Sequence, residues 1–197
     1  MKKLIVFLLI FSLFLGIPHN VSYADSAKIA ENLYRIGIIT GDETGNLRLD
    51  DYLKRQDMVI IISRLHKEEN NAKSYPVVTK FDDFTQENSF YHSYINWAVN
   101  KKLIAGVGGN NFGFNQLVTV QQFQTVLLRA LNYTEEAKLY DSVPDIAKKI
   151  GLMEGLSHLS HKDNLTRGDM CVMINNALNL RMKGSPLKLA EVLKLEI

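Results

Sequence analysis

One pattern runs through this chain three times, and it limits the fold more than any single motif. Gly41 and Gly106, Arg55 and Val120, and Arg64 and Arg129 stand 65 residues apart with no gap between them. A third pass reaches the same glycine at Gly155. Each pass reads as a short helix, two apolar residues, one variable residue and the glycine. A polar loop follows, then one apolar plug (Leu47, Phe112 or Leu159), then an apolar residue six positions on (Leu53, Val118 or Leu165). Behind it Met58, Ile61, Ile62 and Leu65 repeat at helical spacing. So do Phe123, Val126, Leu127 and Ala130, and Met170, Met173, Ile174, Ala177 and Leu178. Every unit is helix, loop, helix. One such pair cannot bury its own apolar face, so an all-α bundle of three mutually packed units is expected. The three glycines are expected to supply the positive φ that lets the chain leave the first helix.

The starts of the second helices carry the chemistry. Thr119 and Thr166 are good N-caps, whereas Lys54 takes that place in the first unit. Arg55 and Arg167 sit at the first helical position, where a cation opposes the helix dipole. Two compensations suit a guanidinium there. One is a bound anion that shares the free N–H groups of the helix start. The other is an ion pair, with Asp169 for Arg167 or with a neighbouring unit. Asp57 and Asp169 are placed to orient the arginines and cap the helices.

The remaining sequence sets the boundaries. Lys2 and Lys3, an apolar run from Leu4 to Leu15 and Ser22-Tyr23-Ala24 read as a signal peptide over residues 1–24, cleaved after Ala24. No later stretch is long or apolar enough to span a membrane. Losing Lys2 and Lys3 leaves 21 Lys+Arg against 21 Asp+Glu, without the basic surplus of a nucleic-acid binder. The units fall at 25–66, 81–133 and 140–183. Residues 67–80, with Pro76, read as a linker. Residues 184–197 read as a last helix, with Ser185-Pro186 as its cap and first residue.

Other candidates have plainer readings. Cys171 is the only cysteine, so no internal disulfide forms, and it packs as a small hydrophobe. Trp97 suits the core better than a sugar platform. His158 and His161 lack a third metal ligand nearby, and Asp42 to Asn46 matches a calcium loop poorly. Asp82 and Asp83 suit helix capping. No nucleophile elbow, phosphate loop or zinc helix occurs, so neither an enzyme nor a cofactor or metal is expected.

The ordered set resembles the S-layer homology domains, which occur in threes at bacterial surfaces. The second pass carries the likeness best, through Phe81-Asp82-Asp83-Phe84, Tyr94-Ile95-Asn96-Trp97-Ala98, Leu103-Ile104-Ala105-Gly106 and Phe112-Gly113-Phe114-Asn115. The resemblance implies a pseudo-threefold helical prism, secreted and held on the bacterial cell wall without a covalent bond. Its inter-repeat grooves would bind an anionic secondary cell-wall polysaccharide, often pyruvylated. The family opens each second helix as Thr-Arg-Ala-Glu, whose arginine meets the acidic sugar. Carried over, Arg55 and Arg167 match, Val120 replaces the arginine in the second unit, and at most two grooves are charged. Lys54 adds charge, Thr166 caps, and Gly41, Gly106 and Gly155 shape the groove walls. The alternative is a surface adaptor that has lost glycan binding and recruits a protein partner.

Overall fold

Three short extended segments close on one another in a ring. The Leu53 N–H donates to the Leu165 carbonyl at 2.8 Å, Leu165 to Val118 at 2.8 Å, and Val118 to Leu53 at 2.9 Å. All three side chains are buried. Leu53, Val118 and Leu165 are the apolar residues that the repeat register aligns. The computed structural model describes residues 21–195. Those residues form eight α-helices and three short 3-10 turns, with isolated bridges but no strand. Most of the signal-peptide reading therefore lies outside the described residues.

The helices are α1 (Tyr23–Arg35), α2 (Arg55–Leu65), α3 (Glu69–Lys73), α4 (His92–Asn100), α5 (Val120–Ala130), α6 (Val143–Lys149), α7 (Arg167–Asn179) and α8 (Leu189–Val192). The two main helices of a unit are not each other's main partners. Instead α4 packs on α2, α6 on α5, and α1 on α7, so each first helix covers the second helix of the preceding unit. The α1–α7 contact closes the circle between the two ends of the chain. One apolar core results, in which Trp97, Phe112, Phe123, Leu127, Met173 and Ile174 are all buried.

Several expectations change. Residues 67–80 are not a loose linker: α3 lies within them and packs on α4, with Ala72 buried. Glu68, just before α3, accepts the Trp97 indole N–H at 3.0 Å and Lys101 Nζ at 2.7 Å. Burial alone would raise the Glu68 pKa, but hydrogen bonds from Lys101, Trp97 and Asn71 bring it down to about 2. Further along, the Asn96 side-chain oxygen accepts the N–H groups of Val78 and Thr79. The last helix also starts later than expected. Ser185 and Pro186 lie in a turn between bridged Arg181 and Lys188, and Lys188 is the cap.

The glycines divide by physical role. Gly155 has φ +76°, but Gly41 and Gly106 do not have positive φ. The left-handed residue after the first helix comes four positions earlier, at Gly37, Lys102 and Gly151. Gly41 and Gly106 are needed for close approach. A Cβ at Gly41 would lie 2.6 Å from the Gly45 backbone, and one at Gly106 would lie 2.6 Å from the Asn111 carbonyl. Each loop therefore folds back onto its own glycine.

Helix α1 begins before the expected cleavage point. Ser22 caps it by accepting the Asp25 N–H, and the Val21 N–H donates to the Gly155 carbonyl at 2.9 Å. A chain that starts at Asp25 loses both. It is expected to be less stable by about 1 kcal/mol than one that starts at Val21, or roughly 2–4 °C in melting temperature. Thermal melts of the two chains check this.

Candidate functional site

The two arginines are occupied in the same way, and by neither of the partners expected for them. Arg55 donates from Nε to the Phe112 carbonyl at 3.1 Å and from Nη2 to the Ala105 carbonyl at 2.8 Å. Arg167 donates from Nε to the Leu47 carbonyl and from Nη2 to the Thr40 carbonyl, both at 2.9 Å. Phe112 and Leu47 are equivalent plug residues, and Ala105 and Thr40 each precede the loop glycine. Each guanidinium thus staples both ends of the next unit's loop. Nη1 of each arginine has no hydrogen bond among the described residues.

Asp57 and Asp169 do not orient the arginines. Asp57 accepts the Tyr91 hydroxyl at 3.2 Å. Asp169 accepts the Thr166 hydroxyl at 2.6 Å and lies 3.3 Å from His158 Nε2, while its N–H donates to Thr166 Oγ1. The helix starts are not open anion sites either. The N–H groups of Arg55, Val120 and Arg167 donate to the carbonyls of Gln116, Asp163 and Asp51 in the neighbouring unit. The ring that builds the fold consumes the donors that a ligand would have used.

What remains is a set of clefts, one against each unit. The first, of about 440 Å³, brings together Arg167, Gly41, Lys54 and Asp57 with Arg64, Arg48 and Tyr52. Its charge is mixed. Arg48 pairs with Asp42 and Asp51, and Arg64 pairs with Glu69 at 2.8 Å. The second, of about 400 Å³, holds Arg55, Gly106, Arg129, Gln122 and Tyr140, and no carboxylate lines it. Burial lowers the pKa of Arg55 and Arg129 below the ordinary guanidinium value, and Tyr140 and Asp83 offset part of this for Arg55. An arginine stays charged at neutral pH regardless. Arg129 Nη1 donates to the Leu103 carbonyl at 2.7 Å.

The third cleft differs from the other two. It is about 270 Å³ and includes Thr166, Asp169, His158 and Val172, with Val21 and Tyr23 from the start of the described chain. Val120, the counterpart of Arg55 and Arg167, is fully buried. Asn176 stands where the other units have Arg64 and Arg129, and its side-chain amide donates to the carbonyls of Leu152 and Glu154. Gly155 lies under Val21, so a Cβ there would run into the Val21 side chain. The third cleft therefore lacks both arginines.

Arg64 and Arg129 are the residues that reading for chemistry passed over, although the repeat register pairs them. Tyr52 and Tyr140, both about half exposed in the charged clefts, have no repeat signal. By sequence Asp83 suits helix capping. Its carboxylate instead accepts the N–H groups of Phe112, Gly113 and Phe114 at 2.9, 2.7 and 3.1 Å. It thereby fixes the loop whose carbonyl holds Arg55. Trp97 is fully buried and lines none of these three clefts. Burial pushes the Cys171 thiol up to about 12.

Comparison with known proteins finds cell-wall and cell-surface relatives. The "Middle cell wall protein" of Brevibacillus brevis is 24% identical over 157 residues, 80% of this chain and 15% of that protein. The "Cell surface protein" of Thermoanaerobacter kivui is 27% identical over 194 residues, 92% of this chain and 25% of that protein. The chain thus spans a quarter or less of the length of these relatives. Residues 80–123 match the S-layer homology domain. The match runs from Phe81 and Asp83 through the Arg55-binding loop into α5. The second unit of this chain is therefore similar to the S-layer homology domain over residues 80–123.

Proposed function

We propose that this chain lies at the bacterial cell surface and attaches to the wall without a covalent bond, by holding an anionic wall polysaccharide in its charged clefts. The family and the printed names of the two relatives support wall attachment in general. The observation that carries the finer reading is the second cleft, where Arg55 and Arg129 share a lining without a carboxylate. A planar carboxylate, such as that of a pyruvate ketal, fits a guanidinium edge. Arg167, half-buried, still has Nη1 to offer, whereas Arg55 contributes charge to its cleft from a buried position. The first cleft is the weaker of the two, because acids of its own chain neutralise part of its charge.

Co-sedimentation with purified cell walls tests this. The protein is expected to pellet with intact walls, to stay in solution with walls stripped of polysaccharide, and to be released by salt. Arg129→Gln with Arg167→Gln is expected to weaken binding at least tenfold at unchanged helical content. Equal pelleting with stripped walls would overturn the glycan reading. It would favour the adaptor reading, to which the arginine-free third cleft lends its support.

A further inference from the structure

The segment from Arg181 to Lys194 lies across the end of the bundle opposite the ring. Leu53, Val118 and Leu165 of the ring precede the central helices α2, α5 and α7, whereas this segment meets the residues that follow them. The Lys183 N–H donates to the Leu131 carbonyl just past α5, and the Leu189 N–H to the Leu180 carbonyl just past α7, both at 2.9 Å. Lys67 Nζ, just past α2, donates to the Lys194 carbonyl at 2.6 Å. Leu189 and Ala190 are buried, so the segment is anchored as part of the fold.

Its outer face is cationic and partly apolar. Residues 181–197 hold Arg181, Lys183, Lys188 and Lys194 against Glu191 and Glu196, in a chain that is otherwise close to neutral. Lys183 is matched by Glu136, and the Glu191 carboxylate is turned to the Lys188 backbone N–H at 2.6 Å. Arg181, Lys188, Lys194 and Lys67 are exposed and pair with no carboxylate among the described residues. Leu187 and Val192, interleaved with them in sequence, are 46% and 42% exposed. None of these residues lines the three inter-unit clefts. Cations set among exposed apolar side chains suit an anionic lipid interface, where headgroups draw the charges and the apolar side chains enter the acyl boundary. A soluble anionic polymer would use the cations and leave Leu187 and Val192 in water. We infer that this end of the bundle docks on an anionic lipid surface, with the four free cations on the headgroups and Leu187 and Val192 at the acyl boundary. The contact is peripheral, since no helix among the described residues is long and apolar enough to cross a membrane. It does not rest on the anionic-glycan reading, because it uses none of the cleft arginines.

Sedimentation with lipid vesicles tests it, using the chain from Val21 on so that the apolar run from Leu4 to Leu15 plays no part. The protein is expected to pellet with vesicles of phosphatidylglycerol and phosphatidylcholine, to stay in solution with phosphatidylcholine alone, and to be released by salt. Arg181→Gln, Lys188→Gln and Lys194→Gln together are expected to weaken binding about tenfold or more at unchanged helical content. Arg129→Gln with Arg167→Gln is expected to leave vesicle binding unchanged, which separates this contact from wall attachment. Val192→Trp gives a second readout, since Trp97 is the only tryptophan and is buried. The emission of the introduced indole is expected to shift to the blue when the anionic vesicles are added. Three results would overturn the inference: no pelleting with the anionic vesicles, equal pelleting by the triple variant, or an unshifted emission in Val192→Trp. The last would leave a soluble anionic polymer as the partner of the cations.

Discussion

Arg55→Met is expected to destabilise the protein by about 3 kcal/mol, and Arg167→Met by only about 1 kcal/mol. Methionine keeps most of the aliphatic bulk and removes the donors, so the change isolates the hydrogen bonds. Both arginines hold two carbonyls in the same geometry. The difference lies in what replaces the guanidinium. Arg55 is 4% exposed and sits 5.1 Å from the centre of the Phe112 ring, so the buried Phe112 carbonyl loses its donor without gaining water. Arg167 is only half-buried, and water reaches the carbonyls it leaves. In a protein of this size the larger loss lowers the melting temperature by roughly 6–12 °C. Thermal melts of the two variants decide the matter. Equal losses would show that burial does not set the cost. The same asymmetry explains why wall binding is better tested at Arg129 and Arg167 than at Arg55.

The repeat register gave away much of this molecule. It placed the second helices, the Thr119 and Thr166 caps and the aligned Leu53, Val118 and Leu165. It did not show which helix covers which. An apolar stripe says that a face is buried and is silent on the partner, so the packing of each first helix on the preceding unit was not legible. Residues 67–80 misled for a related reason. Asn70, Asn71 and Pro76 are loop-forming residues, but the stretch is held by Glu68 and Asn96 through partners remote in sequence.

The site was less legible than the fold because its key acceptors are backbone carbonyls. The Phe112, Ala105, Leu47 and Thr40 carbonyls hold the arginines, and a carbonyl leaves no trace in residue identity. A cation at a helix start signalled a compensating partner. Sequence offered carboxylates and anions as candidates, and the loop backbone was the answer. Gly41 and Gly106 carried a similar ambiguity, since glycine marks both a left-handed φ and a close approach. Only geometry tells the two apart.

Asp83 should matter as much as the arginine it supports. Its two oxygens accept three successive N–H groups, from Phe112 to Phe114, and Arg55 takes the carbonyl of Phe112. Asp83→Ala strands all three donors and is expected to cost about 3 kcal/mol. Asp83→Asn is expected to cost about half of that, since its amide keeps one acceptor and turns donors onto donors. If Asp83 and Arg55 hold one loop from its two sides, their losses will not add. A double-mutant cycle of Asp83→Asn with Arg55→Met should show a coupling of about 1 kcal/mol. Additive losses would mean that the two grips act independently. Acid gives a second readout. Burial would raise the Asp83 pKa, but the three backbone donors outweigh it and hold the group below its ordinary value of 3.8. A carboxylate depressed on folding contributes stability that is fully present above its unfolded pKa and is lost as pH falls through the folded one. Glu68, at about 2 against an ordinary 4.5, follows the same sign. Melting temperature is therefore expected to fall steeply from pH 4.5 to pH 2. The fall should become shallower in Asp83→Asn and in Glu68→Gln, because each variant removes one of the carboxylates whose protonation drives it.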